Sequence, residues 1–162
     1  MEGLEELLER SMKCMAQAAV ALADSLDQLA QNVRSKAVAL YARYASYDLR
    51  KYNMLLRSAI EALGSSLNEP VEGCVKAAGQ STVDLLNEAL RILSSGSPDL
   101  AKLIEVGRAL AERAMVHTLA YAKAFAMLSP GHEHLAIALE AAAKSLQGHV
   151  EALNKLKPMI VS

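Results

Sequence analysis

Apolar residues recur along this chain at alternating three- and four-residue intervals in four long stretches. That spacing marks one face of a helix, not the two-residue alternation of a strand. The first stretch, about residues 3–31, aligns Leu8, Met12, Met15, Ala19, Leu22, Leu26 and Leu29. The second, about 33–63, aligns Val38, Tyr41, Ala45, Leu49, Tyr52, Leu56, Ile60 and Leu63. Its opposite face carries Arg43, Arg50, Asn53, Arg57 and Glu61, and Asp48 flanks the apolar stripe. The third, about 98–128, aligns Leu100, Ile104, Gly107, Leu110, Ala114, His117, Tyr121, Phe125 and Leu128. The fourth, about 132–156, aligns Leu135, Leu139, Ala142, Leu146, His149, Leu153 and Leu156.

The residues between the stretches set the connections. Asn32 marks a break after the first helix, and Gly64 stands at the left-handed stop after the second. Gly64-Ser65-Ser66, Asn68, Pro70 and Gly73 read as a loop. Ser81-Thr82-Val83-Asp84 reads as a helix start, giving a short helix over about 82–93 that Ser94-Ser95-Gly96 ends. Ser97 is expected to cap the third long helix, with Pro98 in its first position and Asp99 complementing its dipole. Pro130-Gly131 turns the chain, and Pro158 lies beyond the expected end of the last helix. The expected fold is all-α, a single domain over residues 1–162. It is an antiparallel four-helix bundle in which two hairpins are joined by a crossover over 64–97. That connectivity is ferritin-like.

Composition supports helices. Hydrophobic residues make up 52% of 162, and much of that is alanine, the best helix former. One Phe, no Trp and five Tyr give little for a sandwich or barrel to use. A net charge of -1 with interspersed signs argues against a nucleic-acid stripe or a polybasic membrane anchor. Charges interrupt every apolar run before it can span a membrane. The acidic start, Met1-Glu2-Gly3-Leu4-Glu5-Glu6, is unlike a signal peptide. Cys14 and Cys74 are far apart and form neither a CxxC pair nor a disulfide framework. They are expected to be small buried hydrophobes in a reducing, cytoplasmic setting.

A bundle interior can hold a di-metal centre when one helix of each hairpin supplies a Glu and the other supplies Glu-x-x-His. The first helix has no stripe carboxylate between Leu8 and Leu29. The second offers Leu49 and Tyr52, level with Cys14 and Met15. The third offers Glu112 or Arg113, and the fourth offers Leu146 and His149. One histidine remains and the two paired glutamates are leucines, so no complete di-metal site is expected. Asp48, His117, His149 and Cys14 are the candidates for a single ion. A turn near Pro130 puts His149 opposite Ala111, with His117 roughly 9 Å further along the axis. That is too far for shared ligation, so each histidine is expected to bond a Tyr, an Asp or a backbone carbonyl. His132-Glu133-His134 reads as a solvated first turn. Of Tyr41, Tyr44, Tyr47 and Tyr52, some belong to the core and some to the surface.

The run Ala45-Ser46-Tyr47-Asp48-Leu49-Arg50-Lys51-Tyr52-Asn53-Met54-Leu55-Leu56 resembles the second helix of archaeal rubrerythrin-like and ferritin-like proteins. In those proteins an Asp-Ser-x-Lys-His type of run precedes an apolar pair, and here Tyr52 takes the His place. Cys74-Val75-Lys76-Ala77-Ala78-Gly79 with Leu85-Leu86 looks like the crossover of that group, and Ser145-Leu146-Gln147-Gly148-His149 like a worn Asp-Glu-x-x-His run. The resemblance implies iron or another transition metal, in redox, peroxide or iron-handling chemistry. Only His149 matches a ligand position. Arg113-Ala114-Met115-Val116-His117 is similar to the Arg…His signature of HEPN-type ribonucleases, in which Arg holds phosphate and His moves a proton. The leading expectation is a bundle without cofactor, structural or interacting, as a homodimer or with a protein partner, and the balance leans away from an enzyme without deciding it. A divergent metal or redox protein and a HEPN-like ribonuclease using Arg113 and His117 are the alternatives.

Overall fold

The computed structural model describes residues 3–65, 73–128 and 130–161, leaving aside the side chains of Leu128 and Val161. Six helices account for most of them: α1 (Leu4–Asn32), α2 (Lys36–Ala62), α3 (Cys74–Ala78), α4 (Gln80–Leu93), α5 (Leu100–Leu128) and α6 (Glu133–Val161). Among the described residues there is no strand. None of the helices is long and apolar enough to cross a membrane.

Local chemistry explains most boundaries. Val33 ends α1, and Ser35 caps α2 by accepting a bond from the Val38 amide at 3.3 Å. Gly64 closes α2 at φ 77°, a conformation glycine adopts without a Cβ penalty. Several expectations need correction. Asp99, not Ser97, caps α5, its carboxylate accepting from the Lys102 amide at 3.1 Å. A carboxylate is the stronger acceptor there, so the helix begins two residues later than the Ser-Pro pair suggests. The short crossover helix starts at Gln80 after Gly79, and a further turn, α3, precedes it. Pro158 lies inside α6, not after it. In the final turns a proline removes one hydrogen bond, to the Asn154 carbonyl, and the helix continues past it. The expected loop residues Ser66, Asn68 and Pro70 lie outside the described residues.

Two apolar clusters show how the helices run. One joins Met12 and Met15 of α1 to Leu56 and Ile60 of α2, Tyr121 and Phe125 of α5, and Leu135 and Leu139 of α6. The other joins Leu26 and Leu29 of α1 to Val38 and Tyr41 of α2, Leu103 and Ile104 of α5, and Leu153 of α6. The start of α2 and the start of α5 therefore share one end, so α2 and α5 run the same way and α1 and α6 run against them. Ala78 belongs to the first cluster and Ala89 and Ile92 to the second, so the crossover spans the length of the molecule.

The helices pack closely as α1 with α2, α2 with α6, and α6 with α5. The fourth side of the ring differs. There α4 packs against both α1 and α5, and α3 against α1. The Ser11–Tyr121 hydroxyl pair, 2.6 Å apart, reaches directly from α1 to α5 at one end. Along α1 and α2, Arg50 bridges Asp24 and Asp27, and the Asn53 amide donates to the Ala16 carbonyl at 2.8 Å. Exposed ion pairs of this kind contribute little. Burial of Met12, Leu56, Ile60, Phe125, Leu139 and Leu153 contributes far more, about 1.5–3 kcal/mol per large apolar side chain.

Candidate functional site

Because α4 stands between α1 and α5, the middle of the bundle is not filled. A cavity of about 180 Å³ lies beneath the crossover, walled by α1, α2, α5, α6 and the inner face of α3–α4. Its walls are almost wholly apolar, with Met15, Leu26, Leu49, Leu110 and Leu146 among them. The polar groups on the wall come from Tyr41, Asp48, Tyr52, Thr82 and His149.

Asp48 and His149 are held together at this wall. A carboxylate can only accept, so His149 Nδ1 donates to Asp48 Oδ2, at 3.0 Å. Tyr44 stacks on the imidazole with centroids 5.6 Å apart and planes within 8°. Lys51 lies 3.5 Å from the other carboxylate oxygen. Burial works to raise the Asp48 carboxyl, but the His149 bond and charge together with Lys51 outweigh it and hold the group below its ordinary range. Burial, then the charge and bond of Asp48, push the Tyr44 phenol up.

The three buried tyrosines on the bundle interior differ in their partners. Tyr52 bonds Thr118 at 2.8 Å, and Thr118 in turn donates to the Ala114 carbonyl at 2.6 Å. Tyr121 bonds Ser11. Tyr41, only 3% exposed, has no hydrogen-bond partner among the described residues, and burial alone pushes its phenol up to about 12. Tyr44 and Tyr47 are exposed, so the tyrosine cluster of α2 divides between core and surface.

His117 stands apart from this cluster, as its axial distance from His149 requires. It bonds the Ala78 backbone carbonyl and stacks on Tyr121 at 6.2 Å. Burial, with the nearby Arg113 charge, lowers its pKa, and the Ala78 bond partly offsets that. Arg113 and Glu112 are exposed. His132 and His134 sit at the solvent-exposed start of α6, where Glu133 accepts from the Gly131 amide at 3.2 Å. Among the described residues no group of three or more His, Cys, Asp or Glu side chains is placed to hold a metal ion. The Asp48–His149 pair is thus two groups short of a closed tetrahedral site, and the residues present do not fit a di-iron centre.

The cysteines require the largest correction. Cys14 and Cys74 form a disulfide, with their Cα atoms 5.7 Å apart. They are not free buried thiols, and the case for a reducing compartment that rested on them no longer holds. A sequence separation of 60 gives no hint of pairing. The contact exists only because α3 folds back onto α1. Cys14 and Cys74 both line the cavity, so the covalent bond fastens the crossover over it.

No protein-family model, curated protein or solved structure matches the chain.

Proposed function

We propose that this protein is a ferritin-like bundle whose interior has exchanged di-metal ligands for an apolar cavity, and that it acts by binding and not by redox catalysis. The observation that carries this reading is the identity of the wall at the metal level. Leu49, Tyr52 and Leu146 stand where two glutamates and a histidine would be needed, and His149 is bonded to Asp48. Two hard cations cannot be neutralised by a single carboxylate already shared with a lysine and a histidine. The parallel course of α2 and α5 and the full-length crossover support ferritin-like connectivity. A homodimer or a protein partner belongs to the same reading. The exposed Leu40, Tyr44, Tyr47 and Met54 share one face of α2 and support it. The test is elemental analysis of purified protein after exposure to iron, manganese and zinc. The expected content is well below one ion per chain, and one or two ions per chain overturn the reading.

One observation favours a second reading. A carboxylate bonded to one ring nitrogen of a histidine is also how metal-ligating imidazoles are oriented. A divergent metal or redox protein would use His149 in this way. It requires a stoichiometric ion in the native chain that is lost in His149→Ala. For the HEPN-type reading, the Ala78 bond to His117 and the outward Arg113 offer no joint site. That reading requires RNA cleavage that His117→Ala abolishes.

A further inference from the structure

Two features of the cavity under α4 are unused by the bundle itself. The first is its size. Protein interiors are packed like organic crystals, with few voids larger than a water. At about 180 Å³ this one is roomier than the ~150 Å³ apolar cavity that takes up benzene in an engineered protein. The second is the hydroxyl of Tyr41, a side chain only 3% exposed and without a hydrogen-bond partner among the described residues. Buried hydroxyls are nearly always bonded. This one lies against Gly107, where even an added Cβ would be 3.6 Å from the oxygen, so no side chain of that residue screens it. Leu26, Ala45, Leu103 and Gly107 share the wall with it and bring no polar side chain. A trapped water needs two to four polar partners, and this end of the cavity offers one.

The far end carries the other constraint. Asp48 follows Tyr41 by seven residues on one face of α2, roughly 10 Å along the axis. Its carboxylate is already engaged by a bond from His149 and by the Lys51 ammonium. An anion would meet a carboxylate on an apolar wall, and a cation would have to displace an existing pair. We infer that the cavity is a binding site for a small neutral molecule, with an apolar body the size of one ring or a short chain. One hydroxyl or carbonyl of that molecule takes up the free bond of Tyr41. Such a ligand fills the void that the wedged α4 leaves and supplies the missing hydrogen bond.

The experiment uses the full chain with its disulfide intact. Phenol and toluene are near-isosteric probes that differ in one hydroxyl, and benzoate is the charged counterpart. Binding is followed at neutral pH through the amide resonances of Ala45, Gly107 and Ala111. The expected result is saturable binding of phenol, weaker binding of toluene and none of benzoate. Tyr41→Phe should weaken phenol roughly fivefold, the effect of one hydrogen bond, and leave toluene unchanged. Ala111→Phe, which fills the cavity, should abolish both. Absence of saturable phenol binding overturns the site. So does persistence of binding in a folded Ala111→Phe protein. Equal effects of Tyr41→Phe on phenol and toluene overturn the role of the hydroxyl. If Ala111→Phe does not fold, the near-isosteric Tyr41→Phe comparison decides alone.

Discussion

His117 shows what one buried titratable side chain does in this core. Burial, the largest influence, and the Arg113 charge hold its pKa below the ordinary histidine value despite the Ala78 bond. The unfolded chain therefore binds more protons than the folded one on the acid side of neutrality. The stability it contributes is full above the unfolded value, about 6.5, and is lost as pH falls through the lower folded value. Urea midpoints measured from pH 7.5 down to 5 should decline, and His117→Gln should flatten part of that decline. An unchanged slope in the variant would remove His117 as the cause. Asp48 acts in the same direction further down. Burial opposes its ionisation, yet His149 and Lys51 keep the carboxyl below its ordinary range. Its contribution is present above the unfolded carboxylate value and disappears only at lower pH. At this scale the histidines were legible. Stripe position and axial separation placed His117 and His149 in different surroundings, each with an Asp or a carbonyl. Tyr41 was legible only as a core residue, since the lack of a partner depends on what the other helices bring opposite it.

The crossover is the element on which most of the function proposed here depends. α3 is a single turn and cannot hold itself. Its place is fixed by the Cys14–Cys74 bond and by packing of Ala78 into the first of the two apolar clusters. Closing a loop with a sequence separation of 60 is worth about 4 kcal/mol in the chain-entropy view. The Cys14→Ala/Cys74→Ala double variant should lose about that much stability by denaturant titration. Its amide protection should fall first in α3 and the start of α4, while the amides of α2 and α6 keep theirs. Protection lost evenly over all helices would show that the bond does not act through the crossover. The pattern of apolar spacing gave the four long helices to within a few residues, because each buries a continuous stripe. It missed α3, whose five residues carry no periodicity, and it placed Pro158 outside a helix that its packing prolongs.

For the molecule as a whole, both apolar clusters draw on all four long helices, one at each end. Neither end can form without the other's helices in place. Unfolding should therefore be one cooperative transition. Far-ultraviolet dichroism and tyrosine fluorescence should give coincident curves, and two separated transitions would contradict a single domain. Metal content and phenol binding, tested as described above, belong to this scale too, since the cavity is made by all six helices and owned by none.

The sequence by itself determined the helical class, the four stripes, the tight turns and the lack of paired glutamates on the inner stripes. These depend on residue type and on spacing within one helix, which the chain carries locally. Tertiary structure alone decided the disulfide, the Asp48–His149 contact, the insertion of α4 between α1 and α5, and the cavity beneath it. Each of these joins residues far apart in the chain, and a void is set by the distance between helix axes. No stripe, however regular, encodes that distance.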